Sequence, residues 1–292
     1  MEPIFDLDCA AARKRRAHKA ADHGAAFLME RAAEELGDRL ATVERRFATS
    51  AAIFSQMGSA RDALLASGRV GDVVRVEADA ALLDGNGVVA ASELLPLEPE
   101  SLELAVSLYA LHEVNDLPGM LIQIRRALRP DGLFLGCMAG AGTLAELRDA
   151  LLSAETEIYG GASPRVFPFA DVRAGGALLQ RAGFALPVAD HETVTVRYDT
   201  MFALMRDLRA MGATNSLVAR SRRPATKGLL MRAGEIYAER YSDPDGRVRA
   251  TFSTIWLSGW APHSSQQKPL KPGSAKVSLA KVLGDLPGDT QD

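Results

Sequence analysis

The chain has 292 residues, 47% of them hydrophobic and 24% charged, with a formal net charge of −3. That is ordinary globular composition with ample apolar material for a core, and it gives no global pull toward nucleic acid or an anionic membrane. The only two cysteines, Cys9 and Cys137, lie far apart with no CxxC neighbour, which argues against a zinc site or disulfide framework and fits a reducing compartment.

The basic stretch over 10–20 lacks an apolar h-region, so it is not a secretory signal. It reads as an amphipathic helix with a solvated basic face rather than as a transit peptide or nucleic-acid arm. From Asp22 to Phe47 the apolar positions Phe27, Ala32, Leu36, Leu40 and Val43 recur at helical spacing. An apolar run at 51–54 stops before Gly58, and a helix-compatible stretch continues to Ser67. Val73, Val74 and Val76 mark a strand. A third apolar run at 87–92 follows the turn-forming DGNG, and a fourth opens at Ser101. The segment 117–130 is an amphipathic helix, ended by RPDG and followed by the strand 133–138. Strand and helix alternating with short connections predict a parallel sheet covered on both faces, with ligands at the strand C-termini.

Past residue 140 long helices dominate. They are expected at 143–159, 170–184, 199–212 and 227–241, with a Gly/Pro-rich loop at 160–169 and strands at 192–198 and 248–262. The DHE at 190–192 reads as a strand-entry turn and no metal site is expected, because neighbouring strand residues point to opposite faces. The stripe Met201, Phe202, Leu204, Met205, Leu208 and Met211 is core packing or, alternatively, an adaptable partner surface. No apolar run reaches the roughly 18 residues of a membrane span, and oligomeric state is not legible.

The segments SLYALHEVNDLPGMLIQIRRALRPDGLFLGCMAG, GGASPRVFPFADVR, MFALMRDLRAMGATN and DPDGRVRATF, with IFDLDCAAARKRRA at the start, resemble the family of the mitochondrial complex I assembly factor 5 and its bacterial relatives. More distantly they are similar to the malonyl-carrier-protein methyltransferases of biotin synthesis. The resemblance implies a class I methyltransferase: an α/β, Rossmann-like, seven-stranded sheet whose last strand is antiparallel, with helical insertions in the C-terminal half. It divides the chain into an N-terminal helical segment (1–46), a methyltransferase-type domain (47–262) with lid or substrate insertions around 143–170 and 200–240, and a C-terminal tail (263–292). It also implies a bacterial protein in the cytoplasm.

The implied cofactor is S-adenosylmethionine, held by a glycine-rich turn, a ribose-binding acid after strand two and an adenine-reading acid after strand three. Here Ala52 stands where an acid is expected and Phe54 where the first glycine is expected, so that the phenyl ring is expected to fill cofactor space. Gly58 matches. Glu77 ends the second strand as the ribose acid or as a solvated strand-end residue; Glu93 lies near the adenine position, or is likewise only a surface acid. Ser107 and His112 open the segment after strand four, where His112 contacts the cofactor, positions substrate or is simply packed. Glu113 replaces the tryptophan common in relatives and so removes a stacking surface. On the substrate side Ser163, Arg165 and Asn215 are the candidates, with a surface arginine and a helix cap as the plainer readings of the last two. No catalytic side chain is assigned. Three functions stay open: an assembly-factor-like enzyme acting on a respiratory-complex subunit by methylation or hydroxylation; a small-molecule or carrier-protein methyltransferase; and a non-catalytic pseudo-methyltransferase that binds a partner.

Overall fold

A computed structural model describes residues 2–267, Ser92 apart. Its seven strands are β1 (Phe47–Ile53), β2 (Val70–Glu77), β3 (Val88–Val89), β4 (Leu102–Leu108), β5 (Leu128–Ala139), β6 (Ala185–Tyr198) and β7 (Val248–Trp260). They lie in the order β3-β2-β1-β4-β5-β7-β6. The first five pair in parallel, and β7 runs antiparallel between β5 and β6. The last strand in the chain is thus the antiparallel one, as the resemblance implies.

Period-two alternation decides the two faces. Ala51, Ile53, Ala105, Phe134, Ile255 and Leu257 pack on one side with Met120, Leu121 and Ile124 of α4 (Leu117–Ala127) and Leu179 of α6 (Val172–Arg181). Their neighbours Ala52, Leu104, Val106, Leu133, Leu135 and Trp256 pack on the other side. There they meet Leu36 and Leu40 of α2 (Phe27–Ala41) and Leu64 of α3 (Ser59–Ala66). Each fully buried leucine in these layers contributes about 1.5–3 kcal/mol. Short polar residues start the helices. Asp116 accepts the Gly119 N–H at 2.9 Å ahead of α4, and Asp171 accepts that of Ala174 at 2.7 Å ahead of α6.

The C-terminal half adds α5 (Ala145–Tyr159), α7 (Met201–Ala210) and α8 (Lys227–Tyr241). Met201, Leu204 and Leu208 of the predicted stripe pack there with Leu229, Ile236 and Tyr237 against Tyr198, Ala250 and Phe252. The chain begins with α1 (Leu7–Ala20), capped by Asp6 and tied down by the Phe5–Leu217 bridge. Residues up to Pro262 form one compact unit, with no boundary near residue 46. The following segment is described only to Gln267, where the Gln266 N–H closes a turn on the His263 carbonyl. The rest of the expected tail lies outside the described residues.

Three local expectations are corrected. Residues 190–192 are not a turn: β6 begins at Ala185, and Asp190 and Glu192 are carried on it to face α2. There Arg39 forms two hydrogen bonds to Asp190 at 2.8 and 2.7 Å, and Arg31 pairs with Glu192 at 3.0 Å. The strand expected at 133–138 begins five residues earlier, at Leu128, and passes a left-handed Asp131 (φ 64°). Nor is the basic face of α1 simply solvated. Lys14, Arg15 and His18 pair with Glu113, Asp79 and Asp84 at 2.7, 3.2 and 2.9 Å, so the helix lies across the C-terminal ends of β2 and β4.

Candidate active site

A cavity of about 680 Å³ opens at the C-terminal edge of the sheet. Its floor is the turn after β1, with Gln56, Met57 and Gly58, together with Tyr109, His112 and Glu113 after β4. Lys14 and His18 of α1 form one wall, and Met205, Leu208 and the 209–215 segment another. Beyond them the chamber is apolar, bounded by Leu144, Leu147, Phe167, Phe169 and Phe252. Strand C-termini of a parallel sheet are where loops diverge and leave such a crevice.

The turn keeps the backbone of a glycine-rich loop without its glycines. Phe54 (φ 52°) and Gln56 (φ 60°) both sit in the left-handed region, which costs a Cβ-bearing residue about 1 kcal/mol or more. Gly58, by contrast, has an ordinary φ of −67° and precedes α3 without a side-chain cap, leaving that helix N-terminus bare toward the cavity. Phe54, expected to fill cofactor space, stands off the cavity. Its ring packs with the α4/α6 core and does not line the cavity. Gln56 is the residue that reaches across. Its Nε2 donates to the Met211 carbonyl at 3.2 Å, closing the turn against the end of α7. Gly212 (φ 77°) is wedged there: a Cβ on it would lie 3.2 Å from Lys14 Cα and 3.3 Å from Gln56 Nε2.

Glu77 lies beneath that closure. It is 2% exposed and does not line the cavity. Arg75 stands 3.6 Å from its Oε1, which accepts no hydrogen bond, while the Gln56 backbone N–H donates to the carboxylate. Burial pushes its pKa up to about 7, against the opposing charges of Arg75 and Lys14. Arg75 is held in turn by the Leu82 and Leu83 carbonyls at 2.6 and 2.8 Å. Ser107 is fully buried, its hydroxyl without a partner, and also lies off the cavity. Glu93 is used elsewhere: its carboxylate accepts the Asn115 and Asp116 N–H groups, and Asn115 in turn holds the backbone of Phe5.

His112 and Glu113 do face the cavity. Burial pushes His112 down to about 4, Glu113 opposing and Lys14 reinforcing, so the ring is neutral near pH 7. Its Nδ1 accepts the Ala139 N–H at 3.4 Å, and its ring lies 6.5 and 6.0 Å from those of Tyr109 and Phe169. Glu113 is 7% exposed. Burial alone would raise its pKa, but Lys14, His112 and Arg13 outweigh that and keep the carboxylate ionised. Tyr109, itself left-handed (φ 51°), is locked by a 2.6 Å hydrogen bond between its hydroxyl and that of Thr254.

Of the substrate-side candidates, Arg165 and Asn215 reach the cavity wall. Arg165 is spent on Glu155, at 3.2 and 2.7 Å, and Ser163 binds the same carboxylate through its N–H at 2.9 Å. Asn215 donates to the Pro164 carbonyl and accepts the Leu217 N–H. These three order the 160–170 loop. Sequence reasoning missed Lys14, Gln56 and Tyr109 as cavity residues. The basic run of α1 is the one signal of them in the sequence. Among the described residues no group of three or more His, Cys, Asp or Glu stands together as a metal site, and no helix is long and apolar enough to cross a membrane.

The chain matches the methyltransferase domain family over residues 57–136. It is 43% identical over 195 residues to the human mitochondrial protein named arginine-hydroxylase NDUFAF5, covering 67% of this chain and 56% of that one. It is 36% identical over 222 residues to the malonyl-[acyl-carrier protein] O-methyltransferase of Laribacter hongkongensis, covering 75% of this chain and 69% of that one. A solved structure from Bacillus halodurans, described as a candidate methyltransferase, superposes with a TM-score of 0.53 at 16% identity, over 78% of this chain and 98% of that one; this is a likeness of fold. The chain spans 43–63% of the length of the arginine-hydroxylase relatives it matches.

Proposed function

The chain belongs to the class I S-adenosylmethionine-dependent methyltransferase family, and from that premise we propose that it is an assembly-factor-like enzyme which binds S-adenosylmethionine and modifies a protein side chain, its partner a respiratory-complex subunit. The observation that carries the reading is the set of groups along one sheet edge. Along the edge, in the strand order β2, β1, β4, come the unsatisfied Oε1 of Glu77, the bare N-terminus of α3 at Gly58 and the ionised Glu113, the sequence a nucleoside with a cationic tail would need. A buried carboxylate oxygen without a donor costs free energy unless a ligand hydroxyl supplies one. These residues fit the cofactor once Gln56 and Lys14 give way: Glu77 would take the ribose hydroxyls and Gly58 the methionine carboxylate.

When bound, S-adenosylmethionine supplies an activated methyl group. The chain's own residues contribute position and exclusion of water. Neutral His112, aligned through the Ala139 N–H, and Tyr109, fixed on Thr254, set a rigid floor. Phe167 and Phe169 keep the reaction edge dry. Free cysteines at positions 9 and 137 accord with a cytoplasmic setting. Calorimetric titration with S-adenosylmethionine and S-adenosylhomocysteine tests the reading, with micromolar binding of both expected.

A second reading, a partner-binding protein that has given up catalysis, is favoured by the side chains at the two left-handed positions and by the Gln56–Met211 closure. Absence of heat with either nucleoside would replace the first reading by this one.

A further inference from the structure

The site holds a cation of its own. Lys14 Nζ lies 2.7 Å from Glu113 Oε2, and that oxygen accepts no hydrogen bond from any other group. Lys14 is about one-fifth exposed and projects from α1, whereas Glu113 is buried on the β4 edge. The same ammonium lowers the pKa of Glu77 at the end of β2 as well as that of Glu113 after β4. Those two residues bracket the strip along which the proposed cofactor would lie. The other contacts of α1 with this edge, Arg15–Asp79 and His18–Asp84, are partly exposed ion pairs, each worth about 1 kcal/mol or less. Lys14 is one-fifth exposed, and its flexible four-carbon stem gives the ammonium a route toward solvent.

We propose that Glu113 is the residue by which the site distinguishes a cationic cofactor from its neutral product, and that Lys14 is the internal stand-in that the incoming sulfonium displaces. This rests on the reading that S-adenosylmethionine binds here. Removing one partner of a buried ion pair leaves the other charge uncompensated, which is the costly state. An incoming cation that replaces Lys14 keeps Glu113 paired throughout, whereas a neutral ligand that displaces Lys14 strands it. The site therefore favours S-adenosylmethionine, with its positive sulfur, over S-adenosylhomocysteine, which carries none, although both share the amino-acid ammonium. The exchange also frees α1 from the β4 edge, so cofactor entry and loosening of this helix are one event.

The test compares dissociation constants of the two nucleosides for the wild-type protein, Lys14→Met, Lys14→Arg and the double variant Lys14→Met/Glu113→Gln. In Lys14→Met the affinity for both nucleosides should rise tenfold or more, because neither has a partnered lysine to displace, and their ratio should stay that of wild type. Lys14→Arg should behave as wild type. The double variant, which carries no buried unpaired charge and so should fold even if the single variant does not, should bind the two nucleosides within threefold of each other. Hydrogen exchange supplies the second readout: amides of residues 8–20 should exchange faster when wild type is saturated with S-adenosylmethionine. If both nucleosides bind but their ratio is the same in all four proteins, the assignment of Glu113 and Lys14 is overturned while the cofactor reading stands. If neither nucleoside binds any of the four, the cofactor reading fails and takes this inference with it.

Discussion

Arg39 of α2 grips Asp190 of β6 through two hydrogen bonds of 2.8 and 2.7 Å while its guanidinium carbon lies 4.5 Å from the centre of the Trp256 ring. One planar side chain thus ties an N-terminal helix to the two C-terminal strands. The Trp256 indole is buried in the layer that α2 covers, so the contact fixes how α2 lies on the sheet. Only a planar fork matches both the carboxylate and the ring face. Arg39→Lys, which keeps the charge and loses the fork, should cost about 1–2 kcal/mol of unfolding free energy, a sum of the bidentate and cation–π contributions. Urea denaturation with unchanged m value checks it; a loss below about 0.3 kcal/mol would reduce the contact to a surface pair.

The turn after β1 makes a sharper prediction, because its two left-handed residues do different things. Phe54 contributes a ring to the core, and Gln56 contributes an amide that closes the cavity on the Met211 carbonyl. Gln56→Gly should relieve about 1 kcal/mol of backbone strain and lose one hydrogen bond of similar worth, leaving stability nearly unchanged. It should also raise affinity for S-adenosylmethionine several-fold. Phe54→Gly relieves the same strain and loses packing of about 2 kcal/mol, so it should be destabilised by about 1 kcal/mol with no gain in affinity. Calorimetry on the two variants separates these roles; an affinity gain confined to Phe54→Gly would return the obstruction to the ring.

The fold was legible because local and distant signals agree in it. Valines at 73, 74 and 76, the amphipathic helix at 117–127 and the 248–260 run state their elements by periodicity alone. The site was less legible. Nothing in AAIFSQMGS says that Phe54 and Gln56 adopt left-handed backbone, since composition argues the reverse. Lys14 looked like one more solvated charge because its partner, Glu113, lies 99 positions away and is brought to it only by the β4 crossover. Asp190 and Glu192 looked like turn residues because their partners are on α2, far upstream. Charged pairs of large sequence separation are invisible to pattern reading, and two of them, Lys14–Glu113 and His18–Asp84, line this cavity.

Glu155 tests how far the 160–170 loop depends on one buried carboxylate. It accepts from the Ser163 N–H and hydroxyl and from two nitrogens of Arg165. Burial would raise its pKa, but Arg165 and Ser163 together hold it below the usual carboxylate range. Glu155→Gln keeps the shape and loses the charge, so the charge-assisted bonds weaken together, by about 2 kcal/mol in sum. Trypsin cleavage after Arg165 should accelerate at least tenfold over wild type under native conditions. Unchanged cleavage would show that Phe167 and Phe169 hold the loop without the carboxylate.

The pH dependence of stability follows from two groups under the cavity whose shifts oppose. Glu77 is raised to about 7 from an ordinary 4.5, so between those values the folded chain keeps a proton that the unfolded chain has released. Stability then falls as pH rises through that window. His112 is lowered to about 4 from 6.5, so between those values the unfolded chain binds a proton that the folded chain refuses. Its contribution is lost as pH falls from 6.5 toward 4. The two slopes overlap between pH 4.5 and 6.5 and largely cancel in the wild type, each amounting to about 2 kcal/mol over the interval. Glu77→Gln leaves only the histidine slope and should lose stability relative to wild type as pH drops from 6.5 to 4.5. His112→Gln leaves only the glutamate slope and should gain stability relative to wild type over the same drop. Ion pairs elsewhere titrate alike in all three proteins and disappear from the differences. Denaturant unfolding at pH 4.5, 5.5 and 6.5 reads the result directly: difference curves that diverge with opposite signs place Glu77 and His112 as described, and parallel curves for the three proteins would show that neither group is shifted.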